Sequence, residues 1–155
     1  MDSSAIGAVS GVATASIALV AAALVVWQVF EMRKTSYASA FKAVYDILQS
    51  ESLRQDRRLV MRELRTRDHT AWSDEEIQRA ERVCHSYDCV GIMCRSGFIP
   101  ADVVADSWGD SLRTCWNVLE PLIGKYRGDR NAPELWDDFE WLARRAVELR
   151  RPVNT

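Results

Sequence analysis

Only two histidines and four cysteines occur among the 155 residues, and no two cysteines stand in a C-x-x-C turn. A structural zinc site needs four ligands, which usually come from such turns or from histidines at turn spacing. The chain also lacks H-x-x-x-E, G-x-S-x-G and glycine-rich phosphate-binding patterns. These absences predict no catalytic residues, no metal ligands and no cofactor. They favour a protein that is not an enzyme, without excluding one.

The sequence has no surplus of positive charge. Its formal net charge is −2, which argues against nucleic acid as a partner. The charges are unevenly distributed, because residues 33–67 carry a net +5 and residues 68–155 a net −5. This asymmetry predicts that the two segments face different surroundings.

Residues 5–30 contain no charged side chain. As a helix with a rise of about 1.5 Å per residue, this run is about 39 Å long, more than the roughly 30 Å of a bilayer's hydrocarbon core. A cleaved signal peptide would begin with basic residues and have a shorter apolar run, of about 7–15 residues. We therefore expect a transmembrane helix at 5–30, preceded by a short extracytoplasmic N-terminus at 1–4.

Arg33 and Lys34 follow this run and nothing basic precedes it. The positive-inside rule then predicts an N-terminus outside the cell and a cytoplasmic C-terminal part, with membrane lipid as a partner. In that reducing compartment the cysteines are expected to be free thiols. Small residues would also let two copies of the helix pack closely as a homo-oligomer: Gly7, Gly11 and Ala15. The alternative is that this stretch only reflects the high Gly and Ala content of membrane helices.

Apolar residues at helical spacing predict an all-α fold. In it, the N-terminal transmembrane helix continues into an amphipathic juxtamembrane stalk at 31–50, and a four- to five-helix cytoplasmic bundle follows at 51–150, with a tail at 151–155. The predicted stalk face comprises Tyr37, Phe41, Val44 and Leu48, and further helices are expected at about 53–67, 74–96, 100–126 and 132–150. Ser73 with Glu76 predicts a capping box at the start of the second of these helices. Gly97 and Gly128 predict helix ends just before them, and Pro121 predicts a kink.

A stripe of arginines lies on one side of the helix predicted at 53–67: Arg54, Arg58, Arg62 and Arg65. Such a stripe close to a membrane would attract anionic lipid at about 1 kcal/mol per charge. A solvated face, stabilised by ion pairs with acids such as Asp56, is the alternative. The sequence does not separate the two.

Three cysteines lie in one stretch, "RVCHSYDCVGIMC" at residues 82–94. The apolar stripe of this helix steps by three and four residues, as expected for a buried seam: Ile77, Ala80, Cys84, Tyr87, Gly91 and Cys94. Cys84 and Cys94 then act as small core residues, while Cys89 and His85 point elsewhere. A divalent-ion group of Asp88 with Asp102, Asp106 and Asp110 is conceivable, but caps and salt bridges are the plainer roles for these acids.

Two tryptophans, Trp136 and Trp141, flank the apolar seam of the last helix. An apolar arc of that width is typical of a helix buried on several sides, or of one that binds a protein partner with one flank. Core is the plainer interpretation. Trp136 and Trp141 are the candidate surface for an unidentified protein partner if it fails.

The strings "YDCVGIMCRSGFIP", "WGDSLRTCW" and "ELWDDFEWLA" follow the apolar helix and its stalk. Over about residues 10–148 the chain resembles a bacterial family of small single-span membrane proteins whose helical cytoplasmic domain has no known function. The resemblance implies a protein of the bacterial inner membrane. It carries over no activity, substrate or catalytic residue.

Three functions are compatible with these features. The leading hypothesis is a membrane-anchored, non-enzymatic helical module that acts as a scaffold or sensor for a protein partner at the cytoplasmic face. The second is an effector that oligomerises and perturbs the bilayer. The third is a metal-dependent enzyme that uses Cys84, His85, Asp88 or Asp110.

Overall fold

The computed structural model describes the backbone of residues 3–149 and the side chains of residues 19–32 and 35–149. This part of the chain is all-α and contains no strand, which confirms the predicted class. The five helices are α1 (Ser3–Gln49), α2 (Glu51–Arg62), α3 (Asp74–Arg95), α4 (Ala101–Arg130) and α5 (Asp137–Glu148). Two short 3₁₀ turns, Leu64–Thr66 and His69–Ala71, connect α2 to α3.

The chain forms two compact units, Met1–Ser39 and Ala40–Thr155, which divide inside α1 and inside the predicted stalk. The prediction of a transmembrane helix at 5–30 is wrong. Over the described residues, no helix combines the length and apolarity needed to cross a bilayer.

The second unit is a helical bundle whose first wall is the C-terminal part of α1. Val44 and Leu48 are fully buried there, and the ring of Phe41 lies 6.3 Å from that of Trp108 on α4. The predicted stalk face therefore packs into the bundle over these residues, whereas Tyr37 is exposed and belongs to the first unit.

The centre of the bundle lies where α5 packs against both α3 and α4. The ring of Phe139 on α5 stacks on Tyr87 of α3, with ring centres 5.0 Å apart. It also meets Trp116 of α4 edge-on at 5.2 Å. All three side chains are buried, so Phe139 of α5 links α3 and α4 in the core.

Both ends of α3 agree with the sequence. Ser73 accepts a hydrogen bond from the backbone N–H of Glu76, and Glu76 accepts one from the N–H of Ser73, which together form the predicted capping box. Gly97 follows the helix with φ +76°, a left-handed conformation that glycine adopts without a steric penalty.

The α4–α5 connection differs from the prediction. Helix α4 continues through Gly128 to Arg130 and ends at Asn131, which is left-handed at φ 49°. The next helix begins at Asp137, after a second left-handed residue, Trp136 at φ 57°, and not close to Pro133. Asparagine tolerates the left-handed conformation, so Asn131 ends α4 in the role that the sequence analysis gave to Gly128.

Candidate functional site

Between residues 19 and 32, the helix surface consists almost wholly of apolar side chains. Nine large apolar residues between positions 19 and 32 are each 46% to 72% exposed: Leu19, Val20, Leu24, Val25, Val26, Trp27, Val29, Phe30 and Met32. At about 100° per residue they point in every direction around the helix, with no empty sector wider than about 80°. Gly7, Gly11 and Ala15, the predicted self-association face, lie outside the described side chains.

The predicted arginine stripe is only partly continuous. Arg58 and Arg62 are exposed on α2. The helix ends at Arg62, about one turn before the predicted end at residue 67, so Arg65 stands on the 3₁₀ turn that follows. Arg54 is half-buried and lies 3.6 Å from Glu51. Within the described chain, Arg58, Arg62 and Arg65 have no ion pair, so they form an open cationic face.

Asp56, on the side of α2 opposite these arginines, is buried, whereas the sequence analysis considered it a partner on a solvated face. Asp56 is 3% exposed and binds two arginines of α3: Arg79 Nε at 2.6 Å and Arg82 Nε at 2.8 Å. Burial alone raises the pKa of Asp56, but the hydrogen bonds from Arg82 and Arg79 outweigh it and lower the pKa overall. The signal was available, since position 56 lies a helical turn from both Leu53 and Val60.

A second charged residue of α2, Arg57, was overlooked. Arg57 is only 7% exposed, and its buried Nη1 has no hydrogen-bond partner in the described chain. Burial raises the pKa of Tyr87 and that of Cys115, the latter to about 12. The nearby positive charge of Arg57 lowers both pKa values, but by less than burial raises them. Both therefore keep their protons at neutral pH.

The cysteines of α3 occupy the positions that the stripe predicts. Cys84 and Cys94 are buried, as is Cys115 on α4, while Cys89 is exposed, and all four are free thiols. Burial raises the pKa of Cys84 far above its usual range and that of Cys94 to about 11. Since the thiolate is the nucleophile and the metal ligand, these buried cysteines are poorly suited to either task.

The other face of the same stretch receives the N-terminus of α5. The backbone N–H of Phe139 donates to Asp88 Oδ1 at 3.1 Å, so Asp88 caps a helix that has no capping side chain of its own. Three residues on, Gly91 lies under the backbone of Asp138. One turn further, Arg95 binds Asp138 at 2.9 Å and Asp137 at 3.2 Å. We call Asp88, Gly91 and Arg95 the α5-docking face of α3.

Three carboxylates meet at this docking face: Asp88, Asp137 and Asp138 have oxygens within 4.8 Å of one another. The group differs from the one considered from sequence, since Asp102 pairs with Arg145, Asp110 with Arg113, and Asp106 is exposed. Burial and the charges of Asp138 and Asp137 raise the pKa of Asp88, while the Phe139 N–H acts against this. Arg95 and the helix N-terminus already supply positive charge here, which accounts for the acids without a metal ion.

The capping role of Asp88 predicts different results for two substitutions. Asp88→Ala removes the acceptor and is expected to lower the free energy of unfolding by about 1 kcal/mol in urea denaturation. Asp88→Asn keeps an oxygen acceptor and is expected to stay close to wild type at pH 7. An equal loss in both variants would contradict the capping role.

The pH dependence of Asp88 has a definite sign. Because its pKa is raised in the folded chain, the protonated carboxyl favours folding, and this contribution is lost as the pH rises through the folded pKa. Asp88→Asn should therefore remove a loss of stability that the wild type shows on passing from acid to neutral pH.

Trp136 is not a surface residue. It is 3% exposed, and its Nε1 donates to His85 Nδ1 at 3.2 Å, with the two rings edge-on at 5.2 Å. Trp141 is half-buried, and the guanidinium of Arg95 lies 5.6 Å from its ring centre. The predicted partner surface thus loses Trp136 to the core, and His85 serves as a packing and hydrogen-bonding residue.

Comparison with known proteins gives one match. A family described as a domain of unknown function, DUF4760, matches residues 15–146. No curated protein and no solved structure matches the chain. The resemblance expected over residues 10–148 is confirmed as far as a family of unknown function goes, and its bacterial origin stays a prediction.

Proposed function

The chain belongs to the DUF4760 family, and with this as the premise we propose that it is a non-enzymatic helical interaction module that associates with lipid through the apolar part of α1. The observation that carries the proposal is the ring of nine exposed apolar side chains between residues 19 and 32. Fully covering a side chain such as leucine, valine or phenylalanine is worth about 1.5–3 kcal/mol, so this surface strongly favours an apolar environment.

The distribution of these side chains favours lipid over a single protein partner. A protein groove covers one face of a helix, as in groove-binding peptides with anchors at i, i+3, i+4 and i+7. Here the exposed apolar residues surround the helix, so a partner on one side would leave the others in water. Lipid needs no preformed groove and adapts to a helix surface that is apolar all round.

The open cationic face formed by α2 and the 3₁₀ turn after it supports anionic lipid in particular. Arg58, Arg62 and Arg65 have no ion pair among the described residues, and each such charge near an anionic surface is worth about 1 kcal/mol. We further propose the cytoplasmic face of a bacterial cell membrane as the location, a setting in which four free thiols are expected.

The non-enzymatic part of the proposal is supported by the state of the reactive groups. The buried thiols keep their protons at neutral pH, and His85 is engaged by Trp136. A scaffold or sensor role needs only a stable bundle that presents a surface, and the buried aromatic core provides that stability.

Vesicle flotation of the full-length chain tests the proposal. The protein should float with phosphatidylcholine vesicles and more completely when phosphatidylglycerol is included. Leu24→Asp with Val25→Asp should lower the ratio of bound to free protein by about tenfold or more, since two apolar contacts are lost. Ile92→Asp with Val147→Asp removes two comparably exposed apolar side chains from the bundle and should leave flotation unchanged.

Two results would overturn the proposal. The first is a wild-type chain that stays at the bottom of the gradient as a multimer, which would mean that copies of the chain cover the apolar surface. The second is an equal loss of flotation in both double variants while circular dichroism shows both to be folded.

A further inference from the structure

A cleft of about 350 Å³ lies between the two 3₁₀ turns and one face of α4. The turns contribute Arg65, His69 and Trp72 to its wall, and α4 contributes Thr114, Asn117 and Val118 at helical spacing. Pro121 continues this face of α4 for one more turn. The volume is at the lower end of the roughly 300–1,000 Å³ typical of small-molecule sites.

One buried polar group of this cleft has no hydrogen-bond partner in the described chain, and two further polar groups lie beside it. The indole N–H of Trp72 is buried and makes no hydrogen bond. Pro121 stands inside α4 and has no N–H, so it cannot donate to the carbonyl of Asn117 one turn earlier. The exposed guanidinium of Arg65 has no ion pair. A buried N–H without a partner is rare in a folded protein, so the Trp72 indole marks this cleft as a place where a ligand could accept a hydrogen bond.

The remaining charges of the cleft are already engaged. Arg67 pairs with Glu76. Asp68 accepts hydrogen bonds from the N–H and the hydroxyl of Thr70, at 2.9 Å and 2.7 Å, which lower its pKa and keep it ionised. Arg65 is thus the available cation, and His69, whose ring meets Trp72 edge-on at 6.3 Å, lies on the same wall.

We propose that this cleft binds a small organic anion: a carboxylate or phosphate carried on a flat apolar body. Arg65 binds the anionic group, since its planar guanidinium matches the oxygens of either. The apolar body lies against Trp72 and Val118, and Thr114 and Asn117 provide hydrogen bonds that orient it. Arg65 also belongs to the open cationic face proposed to meet anionic lipid, so binding in the cleft is tested without lipid.

Titration calorimetry of the full-length chain with phenyl phosphate tests this proposal, without lipid present. Saturable binding with one site is expected, and inorganic phosphate and phenol should each bind at least about tenfold more weakly, because each lacks one half of the recognised chemistry. Arg65→Gln should weaken phenyl phosphate about tenfold, the loss expected for a hydrogen bond to a charged group.

Arg62→Gln is the matched control, because it removes the same charge from the same open cationic face without lining the cleft. It should leave binding unchanged. Val118→Trp fills the cleft and should abolish binding in a chain that circular dichroism shows to be folded. Absence of saturable binding in the wild type, an equal loss in both arginine variants, or full binding by Val118→Trp would each overturn the proposal.

Discussion

Gly91→Ala is expected to lower the free energy of unfolding by about 3 kcal/mol, and Gly91→Val by more. A Cβ at position 91 would lie 2.7 Å from the backbone carbonyl carbon of Asp138 and closer still to its oxygen. Backbone cannot move aside as a flexible side chain can, so α5 would have to withdraw from α3. The loss would be measured by urea denaturation followed by circular dichroism.

The matched control is Gly124→Ala on α4. A Cβ at Gly124 meets nothing within 4 Å, and the position is exposed. Because alanine is a better helix former than glycine by about 1 kcal/mol, this variant should be as stable as the wild type or slightly more so. A Gly91→Ala variant that behaves like Gly124→Ala would show that α3 and α5 do not approach so closely.

Asp56→Asn is expected to lower the free energy of unfolding at pH 7 by about 2 kcal/mol. The carboxylate is buried and accepts hydrogen bonds from both Arg79 and Arg82, and hydrogen bonds to charged groups contribute about 1.5–3 kcal/mol. An amide cannot accept from two arginines with both of its atoms. Arg79 and Arg82 remain partly exposed, so water can solvate them in the variant, which keeps the loss below that of a fully buried pair.

Acid should erase the difference between Asp56→Asn and the wild type. The pKa of Asp56 is lowered in the folded chain, so its contribution is present above the ordinary value of about 4 and is lost as the pH falls through the folded pKa. Unfolding curves at a series of pH values would show the two proteins converging. Asp106→Asn is the control, since Asp106 is exposed and has no ion pair in the described chain. A gap that persists in strong acid would exclude the ion pairs as its cause.

The interior of α3 could be predicted from the sequence because it depends on local information. Steps of three and four residues placed Cys84, Tyr87 and Cys94 in the core, and Ser73 with Glu76 marked the beginning of the helix. Each signal lies within a turn or two of the residue that it describes.

The role of Asp88 could not be predicted in this way, since its partner is the backbone of Phe139, far along the chain. The acids considered with it, Asp102, Asp106 and Asp110, lie on α4, whereas packing of α5 brings Asp137 and Asp138 instead. Arg57 was not singled out from the sequence, although its position on the buried side of α2 distinguished it. Side-chain charge hid a burial that helical spacing alone would have indicated.

The α4–α5 boundary failed for a different reason. Gly128 was taken as the end of α4, yet glycine is tolerated within a helix at a cost of about 1 kcal/mol, and the left-handed turn fell to Asn131.

The apolar run at 5–30 was judged by composition. Over the described residues, no helix is both long enough and apolar enough to cross a membrane.

The cap of α5 is supplied by a residue 51 positions earlier in the chain. A 12-residue segment without its own cap is too short to hold helical structure in water alone, so α5 becomes ordered only on a partner that is already folded. During synthesis on the ribosome, the stacking surface of Tyr87 therefore stays bare until Phe139 has emerged. The nascent polypeptide passes through a stage with an open apolar seam, and it is there that a chaperone would find it.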